Sequence, residues 1–444
     1  MMGHWTLADV VRCTDGWQSG EDCAFDRVVT DSRQDCTGAL FVALEGPRFD
    51  GHDHVRAAIE AGAVAAMTSR EVAGVSQVVV RDTLSGLQAL AAANRQRFDA
   101  PVLALTGSAG KTTVKEMCRT ILGGRTWATP GNLNNHVGVP LTLLGLDDAH
   151  AQAVVELGAN HVGEIARLVA LVRPRVAVVT SVGLAHVGEF GGPGKILQAK
   201  SEIFSGLDER GTAILPANQP YTDALKQAVP GGCRILTFGR DATADVAAEV
   251  SAEGTVQVFV EGAHVAELKL ALPGLHSVDN ALAAIAGCLA LGVEADKAVR
   301  KLAGFRGQSG RLAEISLGAV TLIDDTYNAN PEAMLAALDV LAARREPVKV
   351  AVLGAMAELG DHALAQHQRV LEAAQAKGIQ VVRVGDWPAS LQRENWYPTP
   401  EAAADWLLAE TDRAGSPVAV LVKGSRSARM EKVVDFMKTK RGLN

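Results

Sequence analysis

The segment Val102–Leu122 constrains the fold of this chain more than any other stretch. It begins as an apolar strand, passes through a turn that contains Gly107 and Gly110, and continues as a helix with one apolar stripe. A glycine-bearing turn between a strand and a helix gathers backbone N–H groups at the helix N-terminus, where they favour phosphate oxygens. The segment therefore predicts a nucleoside triphosphate site at the end of a strand.

The side chains of this turn support the same prediction. Lys111 can reach the terminal phosphates, and the hydroxyl of Thr112 can ligate Mg²⁺. The spacing Gly-x-x-Gly-Lys-Thr departs from the usual phosphate-loop pattern, because Leu105 stands where the first glycine belongs. The alternative is an ordinary turn with a chance lysine, and the flanking strand and helix favour the nucleotide site. We expect the nucleotide to contact Thr106, Gly107, Ser108, Ala109, Gly110, Lys111, Thr112 and Thr113.

The length and charge of the chain limit the classes of protein to consider. A chain of 444 residues exceeds what one hydrophobic core usually organises, so we expect two or three domains. The net charge of −7 and the lack of a basic stripe exclude nucleic acid as the main partner. No apolar run approaches the ~18 residues that a membrane span needs, and no secretory signal is visible. We expect a cytoplasmic monomer with reduced thiols and no membrane partner.

Apolar strands alternate with amphipathic helices in three blocks, which predicts parallel sheets covered by helices on both faces. Period-two alternation between Val246 and Leu272 predicts a small antiparallel patch. We expect domains at 1–82, 100–308 and 309–444, with a linker helix at 83–99. The predicted strands are Phe41–Leu44, Val64–Thr68, Gln77–Val80, Ala153–Leu157, Val176–Thr180, Ala213–Leu215, Val348–Leu353, Gln380–Val384 and Val418–Val422, and later helices follow Pro331, Asp361, Pro400 and Ser427.

Polar residues follow several of these strands, and ligands bind at the carboxyl ends of parallel strands. Glu156 ends an apolar strand beside the predicted phosphate loop and suits Mg²⁺, which prefers oxygen ligands. His186 follows the next strand, although a lone histidine is more often structural than a ligand. Lys200 would ordinarily be a solvated helix lysine. The adjacent Asp324 and Asp325 are costly as like charges unless a cation or a ligand uses them.

The order of these clusters resembles that of the Mur ligases, ATP-dependent amide-forming enzymes of peptidoglycan precursor synthesis. The resemblance spans essentially the whole chain. Its motifs are Thr30–Arg33, Gly38–Gly46, Phe49–His52, Thr106–Thr113, Glu156, His186, Ala199–Phe204, Gly274–Asn280, Gly310–Leu312, Asp324–Pro331, Lys423–Arg426 and Met430–Glu431. It implies an α/β protein of three domains: an N-terminal uridine-nucleotide-binding domain, a central phosphate-loop ATPase-like domain with a mostly parallel sheet, and a C-terminal Rossmann-like domain.

The Mur ligases act one after another in peptidoglycan precursor synthesis. Two motifs here, Tyr327–Pro331 and Ala357–Gly360, are similar to those of the last ligase in that order. That enzyme adds D-alanyl-D-alanine to UDP-N-acetylmuramoyl tripeptide, so both molecules are expected substrates. Ser277 and Ala355 depart from the residues that the family commonly has there. The alternatives are another Mur-type or folylpolyglutamate-type ligase, or a nucleotide-dependent switch. A switch would need a base-reading Asn-Lys-x-Asp motif, which this sequence lacks.

The resemblance also implies roles for individual residues. Two Mg²⁺ ions are expected with ATP: Thr112 and Glu156 would hold one, and His186 and a carbamylated Lys200 would hold the other. Carbamylation converts an ammonium, which cannot ligate a metal, into an oxygen anion. The expected catalytic residues are Lys111, Glu156, His186 and Lys200. ATP would also contact His276, Asn280, Arg311 and Asp325, and the other substrates would contact Ser32, Arg33, Gly46, Asn134, Asn135, Asn328 and Asn330.

Three domains that carry the uridine, ATP and amine sites separately must close before reaction. We expect hinges near Phe98–Pro101 and Phe305–Gly310. Without ligands we expect an open arrangement, with Asp324–Pro331 far from the phosphate loop. The sequence leaves open whether the third residue of the accepted peptide is diaminopimelate or lysine.

Overall fold

Three large sheets organise the molecule. The computed structural model describes residues 1–184, 187–251 and 254–442. Its large sheets have five, nine and six strands and follow one another along the chain. Most neighbouring strands are parallel, and helices connect them, so the α/β class is confirmed. Within the described ranges, no helix is long and apolar enough to cross a membrane.

The five-stranded sheet belongs to the N-terminal part of the chain. Its strand order is β2-β9-β8-β5-β4, and only the edge strand β2 runs antiparallel to its neighbour. The elements are β1 (Trp5–Thr6), α1 (Leu7–Cys13), β2 (Trp17–Ser19), β3 (Ala24–Phe25), β4 (Arg27–Val29), β5 (Ala39–Val42), β6 (Glu45–Gly46), β7 (Phe49–Asp50), α2 (Val55–Glu60), β8 (Ala65–Thr68), β9 (Gln77–Val79) and α3 (Thr83–Gln96).

The nine-stranded sheet has the order β11-β12-β10-β13-β14-β15-β16-β17-β18. Its first seven strands are parallel, and the last two are antiparallel, which confirms the predicted patch. The elements are β10 (Val102–Thr106), α4 (Lys111–Leu122), β11 (Thr126–Ala128), α5 (Gly138–Leu144), β12 (Gln152–Glu156), α6 (Glu164–Val172), β13 (Val176–Val179), α7 (Val187–Phe190), α8 (Pro193–Ser201), β14 (Thr212–Pro216), α9 (Thr222–Gln227), β15 (Arg234–Gly239), β16 (Val246–Val250), β17 (Val256–Val260), β18 (Ala263–Leu268), α10 (Leu275–Ala290) and α11 (Ala295–Leu302).

Alternate residues of β10 explain why helices cover both faces of this sheet. All five residues of the strand are buried. Val102 and Ala104 face one hydrophobic core, and Leu103 and Leu105 face another, which the apolar stripe of α4 and most of α10 complete. Because β10 lies between the parallel strands β12 and β13, the residues that follow all three strands meet at one edge.

The six-stranded sheet has the order β19-β20-β24-β21-β22-β23, with only β19 antiparallel to its neighbour. Asn330 caps α12 by accepting a hydrogen bond from the Ala333 N–H at 2.8 Å, and Pro331 occupies the first turn. The elements are β19 (Ala313–Leu317), β20 (Val320–Asp325), α12 (Pro331–Ala342), β21 (Val348–Gly354), α13 (Ala363–Ala376), β22 (Gln380–Val384), β23 (Trp396–Tyr397), α14 (Pro400–Arg413), β24 (Val418–Lys423) and α15 (Glu431–Lys440).

Candidate active site

The turn between β10 and α4 has a conformation that requires glycine. Gly110 has φ 81° and directly precedes α4, and a Cβ atom there would overlap the Asn280 side chain. A Cβ atom on Gly107 would overlap the Thr180 hydroxyl. Both glycines therefore allow a close approach of neighbouring side chains to the backbone of the loop.

The residues after β13 hold this loop in place. The N–H groups of Ser108 and Ala109 donate to the Ser181 carbonyl at 3.0 Å and to the Ser181 hydroxyl at 2.9 Å. The Thr180 hydroxyl donates to the Ala109 carbonyl at 2.6 Å. Because two loop amides are used within the protein, the donors left for an anion are the N–H groups of the first turn of α4, which have no acceptor within the helix.

Lys111 lies at the start of α4 beside the loop. Its Nζ donates to the Gly107 carbonyl at 2.7 Å. Burial lowers the pKa of this lysine, the charge of Glu156 opposes that shift, and the charge of Arg311 adds to it. The lysine therefore places a cation directly at the phosphate loop.

A buried carboxylate lies next to this lysine. Glu156, at the end of β12, is 2% exposed, and its Oε2 accepts from the Thr112 hydroxyl at 2.9 Å. Its Oε1 accepts from Asn134 Nδ2 at 2.8 Å. A hydroxyl and a carboxylate so close together are the hard oxygen ligands that Mg²⁺ prefers. The donor set at Thr112 and Glu156 therefore fits a magnesium ion.

Lys200 lies inside the protein, near the end of α8. It is 2% exposed, and Ile203 and Phe204 after it are fully buried, as the sequence predicts for a helix anchored inward. Its Nζ lies 5.3 Å from the centre of the Phe190 ring and has no hydrogen-bond or ion-pair partner among the described residues. Burial and, to a smaller extent, the charge of Lys111 lower the pKa of Lys200 to about 7.

His186, the other expected ligand of the second metal, lies outside the described residues. Glu164 and Glu202 are the acidic groups whose charges act on Lys200. Both carboxylates accept backbone N–H groups near the start of α6: Glu164 from Asn160, and Glu202 from Gly163 at 2.6 Å. Neither forms an ion pair with the lysine.

The side chains expected around the nucleoside lie on α10 and on the C-terminal sheet. Asn280 lies against Gly110. Burial lowers the pKa of His276, and the charge of Asp325 opposes that shift. The Arg311 guanidinium lies 4.0 Å from the centre of the Tyr327 ring. The hydroxyl of Ser277, which departs from the family pattern, donates to the Pro273 carbonyl at 2.8 Å and so stabilises the start of α10.

One cavity of about 1700 Å³ connects the phosphate loop, Glu156 and the expected nucleoside residues, whereas the predicted residues Thr106, Gly107 and Lys200 do not line it. Residues from all three parts of the chain line it, which suits a site that assembles several substrates. Of the residues predicted from the sequence, the lining includes Ser108, Ala109, Gly110, Lys111, Thr112, Thr113, Asn134, Asn135, Glu156, His276, Asn280, Arg311, Asp325, Asn328 and Asn330. The N-terminal part contributes Leu84, Ser85 and Gln88 from α3.

Comparison with known proteins decides between the alternatives. The model of the Mur ligase family catalytic domain matches residues 25–98, that of the Mur ligase middle domain matches 105–288, and that of the Mur ligase glutamate ligase domain matches 310–426. The UDP-N-acetylmuramoyl-tripeptide--D-alanyl-D-alanine ligase of Escherichia coli is 41% identical over 442 residues, which cover 97% of this chain and 97% of that protein. The chain belongs to the Mur ligase family.

Two solved structures agree with this assignment. MurF from Acinetobacter baumannii is 36% identical, with a TM-score of 0.91 over 98% of this chain and 99% of that one. A MurF ligase from Thermotoga maritima in complex with ADP is 29% identical, with a TM-score of 0.81 over 94% of this chain and 98% of that one. The three-domain α/β architecture and the ATP-dependent ligase class are therefore confirmed for this Mur ligase, and the nucleotide-switch alternative is wrong.

In this Mur ligase the two adjacent aspartates are stabilised by the protein itself, and the cation expected beside them is a lysine side chain. Asp324 is buried and accepts from the Gly310 N–H at 2.9 Å and from the Thr326 hydroxyl at 2.6 Å. Asp325 forms an ion pair with Lys423 at 2.6 Å. These partners offset the repulsion between the carboxylates. Asp325 also lines the cavity, so a role toward ATP stays a prediction.

Lys423 lines the cavity of this Mur ligase, and its sequence motif at 423–426 had been given no individual role. It is buried, and besides Asp325 it donates to the Asn328 carbonyl at 2.9 Å. Its signal in the sequence is a charged residue at the end of the otherwise apolar strand β24. Recognising the pair required the strand order, because β24 is the neighbour of β20 although nearly a hundred residues separate them.

The expected open arrangement does not describe this structure of the Mur ligase. Asn330 Nδ2 donates to the Ser108 carbonyl at 3.3 Å, and Glu332 accepts from the Leu184 N–H at 3.2 Å. The motif at 324–331 therefore contacts the phosphate loop directly. These hydrogen bonds bring the central and C-terminal parts together.

The expected uridine residues lie apart from the cavity. Arg33 is exposed and forms an ion pair with Asp31 at 2.7 Å. A Cβ atom on Gly46 would overlap the Phe49 ring, which is itself largely exposed. Neither these residues nor Ser32 line the cavity, so the structure does not bring them together with the phosphate loop.

Proposed function

We propose that this Mur ligase uses ATP to join D-alanyl-D-alanine to UDP-N-acetylmuramoyl tripeptide. The observation that carries the proposal is the cavity in which the phosphate loop, Glu156 and the pair Asn328 and Asn330 lie together, in a chain that aligns from end to end with relatives of that name. The product is the pentapeptide precursor of peptidoglycan, and the enzyme would act in the cytoplasm, where its nucleotide substrates are made.

The reaction is an amide ligation through an acyl phosphate. The terminal carboxylate of the tripeptide attacks the γ-phosphorus of ATP, and ADP leaves. The amine of D-alanyl-D-alanine then attacks the carbonyl carbon, inorganic phosphate leaves, and the amine loses a proton. Both steps concentrate negative charge, so the protein acts mainly by positioning and electrostatic stabilisation. Lys111 and the first N–H groups of α4 would bind the terminal phosphates during both steps.

Magnesium ions fit this chemistry. Thr112 and Glu156 would hold one ion, and His186 and a carbamylated Lys200 would hold a second. When bound, Mg²⁺ offsets the charge of the phosphate oxygens. A lysine becomes a ligand only when its neutral amine adds CO₂ and loses a proton, which gives a carbamate anion. The burial of Lys200 and the lack of a described partner for its ammonium support this modification.

The remaining predicted residues divide between the substrates. Ser32, Arg33 and Gly46 would bind the uridine nucleotide, and His276, Asn280, Arg311 and Asp325 would bind the nucleoside part of ATP. Asn134 and Asn135 would face the peptide, and Asn328 and Asn330 would face the dipeptide. We assign these sites to domains at 1–82, 100–308 and 309–444, joined by the helix at 83–99, in a monomeric enzyme.

The proposal is tested by measuring phosphate release from ATP with all substrates and with each omitted in turn. We expect release only when ATP, Mg²⁺, the UDP-linked tripeptide and D-alanyl-D-alanine are all present, together with a product whose mass equals that of the pentapeptide. Tripeptides ending in diaminopimelate and in lysine are used as parallel arms. Release with free D-alanine or with a folate substrate instead would contradict the proposed substrates.

A further inference from the structure

A second lysine on α4 is buried next to the proposed metal site. Lys115 follows Lys111 by one helical turn and is 1% exposed. Its Nζ donates to the Thr129 carbonyl at 2.8 Å and to the Gly131 carbonyl at 3.2 Å. These carbonyls lie just before the asparagine-rich loop at 132–140. The lysine therefore anchors the beginning of that loop to the helix that carries the phosphate loop.

Two carboxylates accompany the buried ammonium. Glu116 Oε1 lies 3.2 Å and Glu156 Oε2 lies 4.0 Å from Lys115 Nζ. Burying a charge is costly unless it is paired and hydrogen-bonded, and Lys115 meets both conditions. An apolar side chain of the same length would fill this space at a lower free-energy cost. The buried ammonium of Lys115 and the hydrogen bonds that it donates therefore have a role other than packing.

The anchored segment contacts Glu156 from both ends. The Thr129 hydroxyl accepts from the Glu156 N–H at 2.9 Å, and Asn134 donates to the Glu156 carboxylate at 2.8 Å. Lys115 thus fixes the piece of backbone through which two side chains hold Glu156. Outer partners of a metal ligand orient it in this way and commonly matter as much as the ligand's own geometry.

We infer that Lys115 is a positioning residue for phosphoryl transfer: it holds the segment 129–134, and through it Glu156, in the arrangement that the reaction needs. The inference rests on the proposed function, because it assigns Glu156 to the metal site. Lys115 is not among the described residues that line the cavity. Its removal should release the segment while leaving Lys111 and the phosphate loop in place.

The chain offers a matched control on the same helix. Lys301 Nζ donates to the Ile121 carbonyl at 2.9 Å, near the C-terminal end of α4. Lys115→Met and Lys301→Met each replace a lysine that binds a helix or loop carbonyl with an apolar side chain of similar length. Only the first change removes a contact to the segment that holds Glu156.

The experiment compares hydrogen exchange, thermal melting and steady-state kinetics of the two variants. We expect Lys115→Met to speed amide exchange within 129–137 and to lower kcat roughly 10- to 100-fold. The affinity for ADP should change by no more than about threefold, because Lys111 and the phosphate loop stay in place. Lys301→Met should lower the melting temperature without changing exchange at 129–137 or kcat.

Equal kinetic effects of the two variants, or unchanged exchange at 129–137 in Lys115→Met, would overturn the inference. If Lys115→Met does not fold, Lys115→Gln, which keeps a donor, is measured against the same control and should give the same pattern more weakly. Exchange needs no turnover, so a wild-type enzyme without ligase activity would contradict the proposed function while the exchange data still decide the role of Lys115.

Discussion

Lys200 is a buried lysine without a hydrogen-bond or ion-pair partner among the described residues. Its pKa of about 7 means that a large fraction of the side chain is a neutral amine near neutral pH. Only the neutral amine adds CO₂, so the residue is prepared for the proposed carbamylation. Lys111, Glu164 and Glu202 are the charged groups that act on it, and Lys111 disfavours the ammonium.

We predict that activity in CO₂-depleted buffer falls more at pH 6 than at pH 8. Below the pKa the ammonium predominates and cannot form the carbamate, whereas above it the amine is free, so the sign is a loss of activity as pH falls. Added bicarbonate should restore activity, most clearly near pH 7. A phosphate-release assay at fixed ATP measures this, and a rate that ignores CO₂ at every pH would count against carbamylation.

Substitution of the same residue gives a second test. Lys200→Ala should lower kcat by at least about 100-fold, because a metal ligand is lost. A short carboxylic acid such as acetate should partly restore activity by occupying the vacated space. Lys200→Arg should stay inactive and insensitive to acetate, since a guanidinium cannot become a carbamate. Full activity of Lys200→Ala without added acid would remove the role proposed for this lysine.

Lys111 should be essential for chemistry and not for folding. Lys111→Ala removes the cation that faces the charge developing on the transferred phosphoryl group, so we expect kcat to fall roughly 10²- to 10³-fold. The melting temperature should change little, because the lysine makes one hydrogen bond and its burial disfavours its charge. Calorimetry and the phosphate-release assay measure both quantities. A well-folded variant with wild-type turnover would disprove the assignment.

At the scale of elements, the junction between β10 and α4 depends on a glycine. Gly110→Ala should destabilise the protein by roughly 1–3 kcal/mol, because alanine is strained at φ 81° and its Cβ would overlap Asn280. ATP binding should weaken as well. Gly124→Ala, two residues after α4, is the matched control, because no atom lies within 4 Å of its Cβ position. Chemical denaturation of both variants tests the prediction, and equal losses would contradict it.

The sequence predicted many of the strands that an apolar run defines, although it did not predict β15. Gln380–Val384 has the predicted bounds, and the other predicted strands agree within two residues. The strands β4 and β11 were not predicted, because three residues carry too little periodicity. The helix expected after Ser427 begins only at Glu431, since Arg429 takes a left-handed conformation that ends the preceding 3-10 turn.

The candidate site was predictable where a polar residue stands at the end of an apolar strand, as Glu156 does in β12. It was not predictable where the pairing depends on strand order or on burial. Asp325 and Lys423 are opposite each other only because β24 is the neighbour of β20. The sequence around Lys115 is typical of a solvated helix lysine. Only the packing of α4 places its ammonium against loop carbonyls.

At the scale of the whole molecule, a few contacts hold the C-terminal part against the phosphate loop. Asn330 and Glu332 bind backbone groups of the central part, and the Gly188 N–H donates to the Glu358 carbonyl at 3.2 Å. Gly188 and Gly360 approach so closely that a Cβ atom on Gly188 would lie 2.6 Å from the Gly360 nitrogen. Among the described residues these hydrogen bonds join the central and C-terminal parts, and we expect this interface to open and close around substrates.

We predict that Glu332→Ala shifts the free enzyme toward an open form. The variant loses the acceptor of the Leu184 N–H, so its radius of gyration by small-angle scattering should exceed that of the wild type without ligands. Addition of an ATP analogue with the UDP-linked tripeptide should reduce the difference. Glu372→Ala, on the exposed face of α13, is the control and should scatter as the wild type does. Identical scattering of both variants would contradict the prediction.

We propose that the groups around this cavity transfer a phosphoryl group from ATP to a peptide carboxylate. The most direct measurement uses UDP-N-acetylmuramoyl tripeptide whose terminal carboxylate carries ¹⁸O on both oxygens, with mass spectrometry of the phosphate released. An acyl phosphate leaves one of these oxygens on phosphate when the amine displaces it, so the account predicts one ¹⁸O in each phosphate and one in the new amide. Unlabelled phosphate, with both labelled oxygens absent from it, would contradict the account.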